Sequence, residues 1–349
     1  MSDEALQHWP GNHLEEVELC PVCGGPKYKV LESGLADLMS NPVTGPWALK
    51  SCVECGAAYL SPRPDCDSIG DAYRHYYTHS SDKDDLVPGM VRTLKDYISG
   101  KYYKVASRSG DFFDYLVYFM VRLLPPVSSY LDAKSRHIFE LQKVPGRLLD
   151  IGCGNGEFLR LASKFGWRTV GVDFDEHAVT ESRTYALDVR VGGVEVIDSS
   201  EKFDFITLSH VIEHVYDPAD LIRSCYERLN DGGVLWLETP NVESAGYAFY
   251  KSCWRGLEPP RHITLFSLAA LKQMLLKSGF TSVVQKQHGL SGVYMGLASE
   301  KLLNRLNPCT TGVNCAARKI VMLLRIVSLE LIQLLYRKKR EYLTLVAIR

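Results

Sequence analysis

The sequence predicts an α/β fold, with a largely parallel sheet preceded by a small cysteine-bearing module. Two observations carry that expectation. From Arg147 onward, short apolar runs alternate with amphipathic stretches of helical period. Alternating strand and helix calls for crossover connections, which give parallel strands covered on both faces. Two C-x2-C pairs stand apart from this pattern, near the start of the chain.

Residues 1–65 are rich in Cys, Gly and Pro and read as a module without a large core. Residues 66–140 carry tyrosines and apolar residues at helical spacings, Tyr73, Tyr76 and Tyr77 among them. They are expected to form helices leading into a main domain over 141–349. There GRLLDIG reads as a strand and FLRLASKFG as a helix closed by Gly166. RTVGVDF and FDFITLS are strands, followed by a helix near 216–229 and the strand GGVLWLE. LAALKQMLLKSGF is a helix capped by Ser267, TSVVQKQ a strand and EYLTLVAI the last strand. A helical insertion of about 290–340 separates those two strands.

The 349 residues suffice for one large or two modest domains. Hydrophobic residues at 46% and charged residues at 23% are ordinary for a globular chain. The formal net charge of -1 gives no basic field for a nucleic acid, so that partner is not expected. The acidic opening MSDEALQHWP has no apolar leader core, so a cytoplasmic location and reduced or metal-bound cysteines are expected. A membrane span needs about 20 apolar residues. The best runs, 112–124 and 320–336, are broken by Arg122 and by Arg325 and Glu330.

Cys20 and Cys23 form one C-x2-C pair, Cys52 and Cys55 the other, each followed by glycine. A C-x2-C turn presents two thiolates, and two such turns supply a closed tetrahedral set suited to structural Zn2+. A redox pair is normally single and sits in a βαβ setting, absent here.

Asp150-Ile151-Gly152-Cys153-Gly154-Asn155-Gly156 joins the first main-domain strand to its helix. Glycines at alternate positions let backbone approach a ligand at the carboxyl edge of a sheet. The G-x-G-x-G spacing differs from the dinucleotide pattern. Asp150 just before it disfavours a phosphate and favours the ammonium and sulfonium of S-adenosylmethionine. Asp173 ends the next strand, where a carboxylate accepts from ribose hydroxyls.

These motifs, with Asp204-Phe205-Ile206-Thr207-Leu208-Ser209-His210 and Arg228-Leu229-Asn230-Asp231-Gly232-Gly233, resemble class I methyltransferases over about 147–280 and again at the last strand. The resemblance implies a Rossmann-like seven-stranded sheet and S-adenosyl-L-methionine as methyl donor. It places Gly152, Cys153, Gly154 and Gly156 against the methionine part, Asp173 by the ribose with Phe174 next in the cofactor site, Val194 by the adenine, and Ser209 at the methyl-transfer cleft.

Two segments offer a general base for a hydroxyl or acidic-carbon acceptor. In Ser209-His210-Val211-Ile212-Glu213-His214, the residues His210, Glu213 and His214 are spaced to share a helical face. Ubiquinone-pathway O-methyltransferases resemble this segment but carry Glu at the place of His210, a departure that counts against a divalent metal here; the other reading is that His214 orders the helix start by hydrogen bonding. Pro260-Arg261-His262 before LFS is similar to a stretch of zinc-bearing sugar C-methyltransferases, in which the His lies over substrate. His262 is therefore the first candidate base, and His214 the second. Arg261 replaces that family's carboxylate and is expected to engage an anionic substrate group.

The same resemblance, to methyltransferases of polysaccharide, deoxysugar and natural-product pathways, implies a sugar or glycan intermediate as acceptor and O-methylation as the reaction. C-methylation of a keto-sugar and an inert scaffold binding a pathway partner are the alternatives. Tyr73, Tyr76 and Tyr77 are candidates for stacking on a sugar ring. Within 319–340, Arg325, Glu330 and Gln333 share one side of a helix and aliphatics cover the rest. That helix is expected to pack on 112–124 or on a second subunit, as in a homodimer. The alternative sets its basic end, Arg337-Lys338-Lys339-Arg340, on an anionic membrane surface.

Overall fold

The computed structural model describes residues 7–38, 43–73, 89–141, 144–306 and 313–349. Tyr76 and Tyr77 lie outside them. The N-terminal module contains β1 (Gln7–His8), β2 (Leu14–Glu15), β3 (Tyr28–Ala36), β4 (Val43–Cys52), β5 (Ala58–Leu60) and β6 (Arg63–Pro64). Helices α1 (Gly89–Ala106), α2 (Phe112–Arg122), α3 (Pro125–Lys134) and α4 (Ile138–Leu141) follow. Asp111 starts α2 with a capping box shared with Asp114.

The main domain opens with β7 (Arg147–Ile151), α5 (Glu157–Lys164), β8 (Arg168–Asp173), α6 (Glu176–Arg183) and β9 (Asp188–Val191). It continues with β10 (Phe203–Ser209), α7 (Pro218–Arg228), β11 (Leu229–Pro240) and α8 (Ala245–Tyr250). Then come β12 (Thr264–Leu265), α9 (Leu268–Lys277), β13 (Ser282–Lys286), α10 (Ser291–Leu306), α11 (Val313–Leu335) and β14 (Tyr342–Ile348). Seven strands form one sheet in the order β13-β14-β11-β10-β7-β8-β9. Six of them run in one direction, and β14 opposes them, antiparallel to both β11 and β13. The α/β expectation holds.

Burial on both faces explains the unbroken apolar runs. Successive strand residues point to opposite sides. Leu149, Ile206 and Leu235 enter one core with Leu221 and Leu271 from α7 and α9. Their neighbours Leu148, Phe205, Val234 and Trp236 enter the other, with Leu159 and Ala162 of α5.

The short strand β12 lies in the 258–267 segment, yet it pairs with β5, Thr264 opposite Tyr59 and Leu265 opposite Ala58. The sheet of the cysteine module therefore borrows a strand from beyond residue 141. Ser267 caps α9 by accepting from the Ala270 N–H, while its hydroxyl donates to the Cys55 carbonyl at 3.0 Å.

Helices α10 and α11 form the insertion between β13 and β14. The expected polar side of α11 exists but faces inward. Arg325 reaches Glu300 at 3.3 Å, Glu330 accepts from the Leu290 N–H at 2.9 Å, and Gln333 accepts from Ser291. The aliphatic side is exposed, and so are Phe112, Phe113, Leu116, Phe119 and Met120 of α2. The two apolar faces thus do not cover one another, contrary to the first of the two packings read from sequence, that on 112–124. Among the described residues no helix is long and apolar enough to cross a membrane.

Candidate functional site

The glycine loop leaves β7 at the carboxyl edge of the sheet. Gly152, Gly154 and Gly156 all take positive φ, +72°, +52° and +74°. The left-handed backbone favours glycine there, and a Cβ at Gly152 would collide with Val211. Asp173, at the end of β8, braces the loop: it accepts from the Gly154 N–H at 2.7 Å and from the Asp175 N–H at 2.9 Å. Cys153 is buried, which pushes its thiol up, so it packs and does not react. Phe174 is 75% exposed, and its ring tip lies 3.1 Å from where a Cβ of Gly193 would stand. Val194 is half-buried beside it.

Asp150 is fully buried. Its Oδ1 accepts from Arg136 and, at 2.9 Å, from the Thr207 hydroxyl. Burial raises its pKa while Arg136 opposes that shift. Arg136, stacked on Phe158, was not anticipated from sequence; it comes from the helical region before the main domain. Asp150 is therefore neutralised first by protein, and not simply aimed at a ligand. Its Oδ2 is buried with no partner in the protein, and an ammonium group fits that orphaned acceptor.

The histidine segment after β10 does not form the helical face expected for it. His210 takes φ +55°, and Ile212–His214 is a single 3-10 turn. His210 still faces Glu213, with Nδ1 3.2 Å from its carboxylate, and Nε2 lies 3.7 Å from Glu238. Burial works against its protonation, but Glu213 and Glu238 outweigh it and the pKa is raised. Burial disfavours ionised Glu213 as well, yet His210 holds that carboxyl at about 2. Glu213 also accepts from the Thr239 hydroxyl at 2.9 Å. Glu238 is held at about 2 against its burial, chiefly by His288, whose Nδ1 is 2.8 Å away.

Glu238 and His288 escaped the sequence reading. A carboxylate closing the otherwise apolar strand GGVLWLE was the available signal for Glu238. His288, in a polar stretch after β13, had none. Its ring lies 5.1 Å from Tyr342 and 6.1 Å from Tyr130, so this end of the cleft is aromatic.

His262 sits elsewhere in character. It is buried, and its Nδ1 lies 2.8 Å from the Gly256 carbonyl oxygen. Desolvation pushes its pKa down to about 4, although Glu258 acts the other way. Arg261 does not face a substrate: it is buried against Asp37, at 2.8 and 3.0 Å, and Glu258, at 3.0 Å. His214 packs edge-on to His262 at 4.8 Å, and its Nδ1 lies 3.0 Å from both the Arg261 carbonyl and the Tyr73 hydroxyl. Glu213, His214 and His262 bring ligand atoms within 4.8 Å of one another, a spacing that a metal could use. Hydrogen bonds within the protein already engage all three side chains.

The four cysteines do converge. Cys20 and Cys55 sulfurs are 3.7 Å apart, Cys23 and Cys52 3.5 Å. Zn–S bonds of about 2.3 Å set tetrahedral sulfurs about 3.8 Å apart, so the cage fits a zinc ion. Each knuckle closes through its glycine, Gly24 N–H to Cys20 carbonyl at 2.8 Å and Gly56 N–H to Cys52 carbonyl at 3.0 Å. Cys66 is exposed and outside the cage.

Residues 127–286 match the family described as a methyltransferase domain. The ubiquinone biosynthesis O-methyltransferase of Xanthomonas campestris pv. campestris (strain B100) is 34% identical over 114 residues, 30% of this chain and 48% of that protein. The protein of the same name from Xanthomonas axonopodis pv. citri (strain 306) is 33% identical over 116 residues, covering 31% and 48%. The chain thus spans about half the length of these relatives. Among solved structures, a SAM dependent methyltransferase from Archaeoglobus fulgidus is 22% identical, covering 68% of this chain and 100% of its own, with a TM-score of 0.42. Residues 127–286 therefore carry a likeness to a methyltransferase domain, and the four-cysteine module lies ahead of them.

Proposed function

We propose that the protein transfers a methyl group from S-adenosylmethionine to a hydroxyl of a small-molecule acceptor, a saccharide or related biosynthetic metabolite, with His210 as general base. One observation carries the reading. Strands β7 and β10 are neighbours, Ile151 opposite Leu208, so His210 emerges beside the glycine loop. Paired strands lie about 4.8 Å apart, which puts the base within reach of an acceptor held against the donor. The O-methyltransferase names of the relatives support oxygen as the attacked atom.

In the step, the acceptor oxygen forms a bond to the methyl carbon as the S–C bond of the sulfonium breaks. The hydroxyl proton passes to Nε2 of His210, and the sulfonium leaves as the neutral thioether. Glu213 at Nδ1 orients the ring and stabilises the imidazolium that forms. Holding donor and acceptor in line supplies much of the remaining rate. Asp173 is the residue proposed to receive the ribose, with Phe174 and Val194 beside the adenine. The cysteine cage is proposed to hold structural Zn2+, because four thiolates leave no open position.

His262 was the first candidate from sequence. Its low pKa and its bonded Nδ1 support a clasping role between β12 and the main domain instead. The test is a labelled-methyl assay against hydroxylated sugars and related metabolites, with product fragmentation and calorimetry using S-adenosylhomocysteine. Label on oxygen, and product-analogue binding kept in His210→Ala while transfer is lost, is the expected result. Label on carbon, or full transfer in His210→Ala, overturns the assignment. Absent product-analogue binding defeats the methyltransferase reading itself.

A further inference from the structure

We propose that the outer face of α11 is an interfacial helix that docks the protein on an anionic lipid bilayer. A surface helix normally turns its apolar stripe to the core and its polar side to water. In α11 apolar residues occupy the outer side as well as the inner one. Arg325, Glu330 and Gln333 bond inward to Glu300, Leu290 and Ser291. Ile320, Leu324, Val327, Leu331 and Leu335 face out, at the spacing of one helical stripe, and Leu335 is 75% exposed. Ile326 and Leu329 are buried and anchor the opposite side. The helix is thus fixed to the protein by its polar and core contacts, while its exposed stripe is apolar along several turns. Such a contiguous stripe marks an interaction surface and is not ordinary scatter.

Charge selects the occupant. Exposed Lys319 lies near one end of the stripe, and exposed Arg337, Lys338 and Lys339 at the other. No exposed residue of 317–339 is acidic; Glu330 is half-buried and bonded. A second copy of this face would bring like charges together, whereas a bilayer with anionic headgroups complements the cations and takes the aliphatic stripe. The helix lies on the surface and does not span it.

The experiment is co-sedimentation of the full chain with vesicles of phosphatidylcholine alone and of phosphatidylcholine with phosphatidylglycerol, beside light scattering of the free protein. The expected result is binding at least about tenfold tighter to the anionic vesicles, weakened by high salt. Leu324→Glu with Leu331→Glu abolishes it, and Arg337→Gln with Lys338→Gln and Lys339→Gln reduces it about tenfold or more. These side chains are exposed, so circular dichroism should show an unchanged fold. Three outcomes overturn the proposal: no vesicle binding, binding indifferent to the leucine changes, or a stable dimer that the leucine changes break. None of these readouts depends on methyl transfer, so the docking surface and the enzyme assignment stand or fall separately.

Discussion

The segments 209–215 and 258–267 hold similar residues in opposite surroundings. The first holds His210 and His214 and the second His262, each close to carboxylates, and the two touch where the rings of His214 and His262 meet edge-on. In the first, His210 is half-buried between Glu213 and Glu238 and its pKa is raised. In the second, His262 is buried and pushed down to about 4, with β12 joined to the cysteine module. Residue type does not set the role of a histidine; the balance of desolvation against nearby charge does. A titrating ring at the open edge of the sheet suits proton transfer. A ring kept neutral by burial suits a joint between modules.

The largest break in this comparison should come from the cysteine cage. Cys52→Ser, or chelation, should release one zinc per chain by mass spectrometry and cost the module on the order of 10 kcal/mol. Proteolysis should then open residues around β5 and β12, while product-analogue binding at the glycine loop survives. Loss of both together would show that the two regions are one unit.

Next comes the chemical contrast. His210→Ala should slow transfer about 100- to 10,000-fold at unchanged donor affinity. With its pKa raised, His210 is protonated and idle at low pH, so the rate should climb with pH through an apparent pKa above 6.5. A flat profile over pH 5–9 would remove it as base. Arg261→Met, in the second segment, should instead cost about 3–5 kcal/mol of stability by removing the buried cation that Asp37 and Glu258 share, read from denaturant midpoints.

A pH series sharpens the difference further. His262 titrates near 6.5 when unfolded and at about 4 when folded. The unfolded chain binds the extra proton between those values. Its contribution is therefore complete above about pH 6.5 and lost as pH falls toward 4, up to about 3 kcal/mol. His262→Asn should flatten that slope. The smallest effect is expected at the donor: Asp173→Ala should weaken S-adenosylhomocysteine binding roughly 10- to 100-fold by calorimetry.

The glycine loop and the carboxylate that braces it were legible because the parts are local. Gly152, Gly154 and Gly156 belong to one turn, and Asp173 ends the strand after it, so spacing along the chain mirrors spacing in space. The cluster of histidines and carboxylates beyond it was not. Glu238 and His288 come from different elements 50 residues apart, and only the pairing of β11 with β14 and the turn after β13 brings them together. Arg136 reaches Asp150 from outside the strand-helix repeat, and no periodicity announces such a pair.

By itself the sequence determined the alternation that builds the doubly covered sheet, the glycine loop at its edge and the two cysteine knuckles. Those features rest on backbone geometry and on side-chain period, which act over a few residues. Only the tertiary structure decided that the expected base is walled into a joint, that His210 lies between two carboxylates, and that α11 turns its aliphatic stripe outward. Burial and charge neighbours depend on which distant elements pack together, and no local rule carries that information.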